Sequence, residues 1–299
     1  MTIVIINPSS ASGSTGEAWP QIASDLRSQF GSFHPLFTKH RGDAAALANE
    51  AARKGAKLII ACGGDGTVSE VANGILTSGK DVELGILPSG TGGDFRRTLE
   101  IPSQSRAAAR VLHTGRTVRI DVGRVSFVDH DGAEAMRYFL GVASCGMSTK
   151  VIERVKAQRA SFAASLLQTA LRTTPIHLVV QLDDSPECRL VISNLCVANA
   201  RYFGGGMKIA PDAKLTDGKF DIISIADLST LKLFTSAPRV YLGSHLSMPE
   251  VSHTLARKIA VRPADRAVEV ALEVDGELPG RLPASFQIIP EALRVRVSG

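Results

Sequence analysis

The sequence predicts an α/β fold: an open, mostly parallel sheet with helices on both faces, followed by an antiparallel, sandwich-like β domain. Two observations predict it. Over residues 1–121, short β-rich runs alternate with alanine-rich stretches at about 20 to 30 residue intervals, which is the rhythm of βαβ units. From Val122 onward, β-branched runs bounded by Gly, Pro, Asp or Asn dominate, as in antiparallel sheets. A length of 299 residues suits two cores, because domains usually run to about 100–200 residues. The expected domains are 1–121, with a C-terminal tail at about 288–299, and 122–287.

Taken in order, strands are expected at 3–6, 35–37, 58–62 and 84–87, each followed by a helix, at 17–30, 43–54, 68–76 and 103–113. In the second half, strands are expected at 176–182, 189–197, 220–226, 258–262 and 268–274, interrupted by helices at 148–172 and 228–244. The terminal run 293–297 is compatible with pairing in either domain.

Hydrophobic residues at 44% and charged residues at 21% describe a folded globular chain, far from the signature of disorder. No apolar run approaches the roughly 18 residues of a membrane-spanning helix. The start, Met1-Thr2-Ile3-Val4-Ile5-Ile6-Asn7-Pro8, lacks the basic segment of a secretory signal, so a cytoplasmic protein is expected. Four cysteines without a Cys-x-x-Cys pair argue against a disulfide framework or a zinc site. Thirty-four Lys and Arg against 29 Asp and Glu leave +5, a modest excess that suits anionic membranes or phosphorylated substrates. Aromatics at 5% are too sparse for base stacking, so nucleic acid is not an expected partner. The histidines form no H-E-x-x-H and the serines no G-x-S-x-G, which leaves metallohydrolase and esterase readings poor.

The chemistry concentrates in loops that follow strands, where open α/β sheets bind ligands. Gly63-Gly64-Asp65-Gly66-Thr67 runs from a buried strand into a helix start, and such a turn offers backbone N–H groups and partial positive charge to a phosphate. It is not a G-x-x-x-x-G-K-[ST] loop and supplies no lysine. Asp65 would repel phosphates unless Mg²⁺ bridges them or the carboxylate accepts hydrogen bonds; as a plain turn, the segment would use Asp65 to cap its own helix. A second loop, Pro88-Ser89-Gly90-Thr91-Gly92-Gly93-Asp94-Phe95, and the polar stretch after Asn7-Pro8 are expected on the same rim.

Gly63-Gly64-Asp65-Gly66-Thr67 with Glu70 and Asn73, then Pro88-x-Gly90-Thr91-x-x-Asp94-Phe95, resembles the diacylglycerol kinase catalytic-domain family, whose bacterial members phosphorylate lipid hydroxyls with ATP. The resemblance covers nearly the whole chain, through Asn7-Pro8, Thr38-x-x-x-Gly42-Asp43-Ala44, Pro211-x-Ala213-x-x-x-Asp217-Gly218 and Asp275-Gly276-Glu277. It implies an ATP- and Mg²⁺-dependent lipid kinase that acts on a diacylglycerol-like hydroxyl, peripheral at the inner face of the membrane. It also implies an ATP site between the α/β nucleotide-binding domain and a β-rich lipid-substrate domain. By the same resemblance, Asn7, Thr38, Gly63, Gly64, Asp65, Gly66, Thr67, Val68, Ser69 and Thr91 would contact the nucleotide. Asp65 would serve the phosphates and their Mg²⁺, and Glu277 would be the base. A second, structural Mg²⁺ would sit on Asp217 with Lys214 and Lys219, whose ammonium groups have no acceptor and which would ligate through main-chain oxygens.

The chain departs from the family pattern at Ser69 and Gly93, where Asn is usual, and at Ala11, where Gly is common. An NAD kinase shares the Gly-Gly-Asp-Gly-Thr loop and is the alternative enzyme, although the Pro88 motif favours lipid kinases. A non-catalytic nucleotide or lipid sensor is the alternative from another class, and intact Asp65 and Glu277 argue against it. Asp275-Gly276 is a turn signal, so Glu277 on its own residues also fits a solvated hairpin tip, and Asp94 fits a helix cap. The stretch 148–172 carries Lys150, Arg154, Lys156, Arg159 and Arg172 against Glu153; it suits either contact with anionic lipid or a cover over the β domain. The identity of the lipid is not legible, and a homodimer is the commonest closed assembly.

Overall fold

The computed structural model describes residues 1–90, 92–158, 174–227 and 230–299. They divide into two compact units, Met1–Val122 with Pro290–Gly299, and Gly123–Ile289.

The first unit contains β1 (Thr2–Ile6), α1 (Ser14–Gln29), β2 (His34–Phe37), α2 (Asp43–Arg53), β3 (Leu58–Gly63), α3 (Asp65–Ser78), β4 (Glu83–Pro88), α4 (Asp94–Thr98) and α5 (Ser105–Thr114). β5 (Arg116–Asp129) leaves this unit, and the end of β14 (Glu277–Val297) returns to it. Its strands lie in the order β14-β4-β3-β1-β2, each neighbouring pair parallel. Every residue of β3 is buried, which is why it reads as one unbroken apolar run rather than an alternation. The helices α2 and α3 pack closely because both present small residues: a Cβ on Gly74 would lie 2.2 Å from the Ala45 carbonyl and 2.7 Å from Ala48 Cβ. The terminal run is resolved here, since Arg294 and Val295 pair with Glu83 and Leu84.

The second unit contains β6 (Glu134–Phe139), β7 (Val142–Gly146), α6 (Met147–Gln158), β8 (Ile176–Leu182), β9 (Cys188–Ala198), β10 (Phe220–Ala226), α7 (Thr230–Leu242), β11 (Val251–Ala256), β12 (Lys258–Pro263) and β13 (Ala271–Val274), besides parts of β5 and β14. β9 pairs antiparallel with β7, β8 and β10. Phe139 and Phe220 stack with ring centroids 5.5 Å apart, and Phe286 meets Phe139 edge-on at 6.2 Å. These rings anchor the larger apolar cluster; a smaller one gathers Val142, Cys196, Ile209 and Ile223. The helix expected over 148–172 is described as far as Gln158, and Arg159 and Arg172 lie outside the described residues.

Candidate active site

In the parallel unit, the loops after β1, β3 and β4 meet through specific contacts. Asn7 Nδ2 donates to Thr67 Oγ1 at 3.1 Å. Thr15 Oγ1 lies 2.6 Å from Ser10 Oγ and 2.7 Å from Ser89 Oγ. The Ser89 amide donates to the Gly63 carbonyl at 3.0 Å. A Cβ on Gly90 would stand 2.8 Å from Gly64 Cα, and one on Gly92 would stand 2.8 Å from Asp65 Oδ2. These two glycines answer to the close approach of the two loops.

Asp65 does not cap its own helix, since Gly64 is the N-cap of α3. Its carboxylate accepts the amides of Gly93 at 2.7 Å, Asp94 at 3.1 Å and Phe95 at 3.1 Å. The residue therefore caps α4 and fastens the second glycine loop to the first, and Asp94, expected as that cap, pairs with Arg97 at 2.7 Å. Glu70, one turn further along α3, caps α2 by accepting the Gly42 and Ala44 amides at 3.0 and 3.2 Å. Thr38 is held at the end of β2 by its amide's bond to the Ile6 carbonyl, 2.9 Å. Thr91 lies outside the described residues.

Gly66 differs from the other glycines of the loop. A Cβ there would meet nothing within 4 Å, and its φ lies outside the left-handed region. Neither packing nor conformation calls for glycine in the first turn of α3, where Ala would be more stable by about 0.5–1 kcal/mol. The first-turn amides of a helix also lack intrahelical acceptors. A surface of free amides with no side chain over it is what an approaching phosphate needs. Thr67, Val68 and Ser69 are buried beneath it, and burial pushes the Cys62 thiol up to about 12, which keeps it inert.

The departures from the family pattern have local explanations. Gly93 sits at φ 69°, ψ 39°, a left-handed conformation open to Asn and Gly, so Gly where Asn is usual preserves the backbone. Ala11, at φ 51°, occupies the same region without that freedom.

In the antiparallel unit, Asp275 and Gly276 form a turn at φ 49° and 81°, the conformation of an Asp-Gly hairpin. Its tip is anchored rather than merely solvated: Asp275 accepts the Leu140 amide at 3.0 Å and the Gly141 amide at 2.9 Å. Glu277, half-buried, opens β14 in register with Val274. Sequence reasoning missed Glu273, buried at 2% exposure, which accepts the Gly276 amide at 2.6 Å and a hydrogen bond from Ser144. Ser144 in turn reaches Ser148 at 2.8 Å, and Ser148 donates to Asn194 at 2.9 Å. The signal was a glutamate inside an otherwise apolar strand.

Asp217 accepts the Lys219 amide at 3.1 Å, and Lys214 is exposed. Burial pushes the carboxyl of nearby Asp221 up, its bond to His253 at 2.7 Å opposes this, and the negative charges of Asp217 and Asp212 add to the rise. Among the described residues, no group of three or more His, Cys, Asp or Glu side chains stands close enough to hold a metal. A set of one carboxylate and main-chain oxygens is of another kind.

Residues 1–125 match the diacylglycerol kinase catalytic domain, and residues 141–297 match the YegS C-terminal NAD kinase beta sandwich-like domain. A diacylglycerol kinase of Mycobacterium tuberculosis is 32% identical over 244 residues, which cover 75% of this chain and 76% of that protein. The chain belongs to the diacylglycerol kinase family. Another relative, the diacylglycerol kinase of Staphylococcus haemolyticus, is 32% identical over 270 residues, covering 86% of this chain and 77% of its own. A crystal structure of a diacylglycerol kinase from Bacillus anthracis superposes with a TM-score of 0.74 at 23% identity, over 99% of this chain and 96% of that one; at that identity it speaks for the fold. Membership makes this a kinase-family chain. No helix of the described residues is long and apolar enough to cross a membrane.

Proposed function

We propose that the protein is an ATP-dependent lipid kinase that transfers the γ-phosphoryl group of ATP to a lipid hydroxyl of the diacylglycerol type. The observation that carries this reading is Gly66, uncovered at the start of α3 where three fastened loops meet. Mg-ATP, when bound, supplies the phosphoryl group and neutralises its charge. The first-turn amides of α3 receive the phosphates, with Asn7 and Thr38 on the same rim. Asp65 keeps the second glycine loop in place, and a carboxylate has lone pairs left for a metal after accepting three amides. Glu277 takes the proton of the lipid hydroxyl, whose oxygen then bonds to phosphorus as the bond to ADP breaks. The transfer needs positioning more than covalent chemistry from the protein.

Gly66→Val tests the site. A Cβ there meets no protein atom within 4 Å, so the variant should unfold no earlier than the parent. Overlap with a bound phosphate should weaken ATP binding by roughly 5- to 150-fold, equivalent to about 1–3 kcal/mol. Calorimetric titration with Mg-ATP reads this directly, and unchanged affinity would move the nucleotide elsewhere.

We further propose that Asp217, with main-chain oxygens of Lys214 and Lys219, holds a structural Mg²⁺. Ion binding to the folded state raises stability. Millimolar Mg²⁺ should therefore raise the unfolding temperature of the parent and leave that of Asp217→Ala unmoved. An equal rise in both proteins would reduce the segment to a turn.

A further inference from the structure

The strand β13 carries one acid in an otherwise apolar run, Ala271-Leu272-Glu273-Val274. Leu272 and Val274 enter the larger apolar cluster, so Glu273, between them, faces the other side of the sheet. There it stands opposite Ser144 of β7, and Ser144 stands opposite Cys196 of β9. A glutamate is almost never fully buried unless its charge is met by partners, and those of Glu273 run in a line. Oε1 accepts the Gly276 amide at 2.6 Å, and Oε2 accepts the Ser144 hydroxyl. Ser144 lies 2.8 Å from Ser148 in the first turn of α6, whose amide and hydroxyl reach Asn194 Oδ1 at 3.0 and 2.9 Å. Ser144, Ser148 and Asn194 are all buried. Burial pushes the Cys196 thiol up, and the charge of Glu273 adds to the rise, so the cluster holds no thiolate nucleophile.

The line ends at the turn that presents Glu277. Leu272 pairs with Gly280 but Val274 pairs with Glu277, so β14 takes three steps where β13 takes two. An extra residue of this kind disrupts the ladder locally and re-aims a side chain. Strand pairing therefore leaves the Glu277 end of the hairpin to other anchors. Asp275 supplies one through the Leu140 and Gly141 amides, and Glu273 supplies the other through the amide of the residue next to Glu277. A carboxylate only accepts, so Ser144 commits its one hydroxyl proton to Glu273 and can only accept from Ser148.

We propose that Glu273 is a positioning residue for phosphoryl transfer: braced by Ser144 and Ser148, its carboxylate holds the Gly276 amide and so sets the direction of Glu277. Buried at this depth, it acts through Glu277 and not on the substrate. The proposal rests on the reading of Glu277 as the base. What the turn requires is the reach of the side chain rather than its charge. Gln offers the same two contacts, since its oxygen accepts the Gly276 amide and its NH₂ donates to Ser144, which then turns its own proton to Ser148. Asp keeps the charge and is one methylene too short.

Glu273→Asp should lower kcat on diacylglycerol by about 100-fold, the cost of misplacing a reacting group by roughly 1 Å, while Mg-ATP affinity stays at the parental value. Glu273→Gln should recover most of that loss. Hydrogen exchange at the Gly276 amide should quicken in Glu273→Asp and not in Glu273→Gln, which reads the brace without relying on turnover. Ser144→Ala, a milder change that leaves Glu273 its Gly276 amide, should lower kcat less but in the same pattern. In a Glu277→Gln background, Glu273→Asp should cost almost nothing further, since both changes disable one step, whereas a role in stability alone would lower turnover in either background. Parental turnover in Glu273→Asp, with Glu277→Gln inactive, would overturn the proposal and leave the base in place. Glu273→Gln as impaired as Glu273→Asp would overturn it too, by making charge the requirement. Parental turnover in Glu277→Gln would remove the base reading itself and this proposal with it.

Discussion

Glu277→Gln should lower kcat for phosphorylation of a lipid hydroxyl by about 10²- to 10⁴-fold, the range for losing a general base, or about 3–5 kcal/mol of barrier. An alcohol is a poor nucleophile while it keeps its proton, and a carboxylate within hydrogen-bond reach can take it near neutral pH. Gln preserves size and one acceptor oxygen but cannot hold that proton. The hairpin that presents Glu277 is fixed from both ends of its turn, by Asp275 on the Leu140 and Gly141 amides and by Glu273 on the Gly276 amide. Loss of activity should therefore come without loss of fold or of ATP affinity. Retention of more than about a tenth of the parental kcat, less than the lower bound of that loss, would mean that another group is the base.

Arg296→Met should destabilise the parallel unit by about 3 kcal/mol, the lower end of the range for breaking a buried ion pair, since Arg296 keeps 22% of its side chain exposed. Arg296 donates to both oxygens of Glu83, at 2.7 and 2.8 Å, and so ties the returning end of β14 to β4. Met leaves the Glu83 carboxylate, 5% exposed, with the hydrogen bond from the Thr117 hydroxyl. Burial pushes the Glu83 carboxyl up, but the bonds from Arg296 and Thr117 outweigh it and hold the group below its ordinary 4.5. A carboxyl depressed in the folded state adds stability above its unfolded pKa, and that addition is lost as the pH falls through the folded value. In urea unfolding, the gap between parent and variant should thus be full at neutral pH and close progressively below pH 4.5. A gap that stays constant through acid would assign the loss to packing alone.

The elements most legible in the sequence were those whose pattern is local. The apolar run of β3 and the alanines of α2 announce themselves because each is buried on its own account. A helix start at Asp94 was legible, but its cap was not: the sequence offers Asp94 itself, whereas the cap comes from Asp65, almost thirty residues earlier, which no local signal reveals. Most of β14 was missed because Pro279, Pro283 and Pro290 interrupt it, and proline ordinarily argues against a strand. In the site, the glycines marked the loops correctly, since close approach forbids a side chain. The partners of the acids did not show. Asp65, Glu70 and Asp275 each bind backbone amides distant in sequence, and a carboxylate that caps reads the same in sequence as one that awaits a ligand.

The most direct measurement is the fate of label from γ-labelled ATP, offered with Mg²⁺ to the parent protein and to Glu277→Gln, against diacylglycerol and other lipid alcohols in vesicles and against NAD. A lipid kinase with Glu277 as its base should place label in an organic-extractable phospholipid with the parent, reduced at least about a hundredfold in the variant. Label in NADP alone, or in neither product, would contradict it.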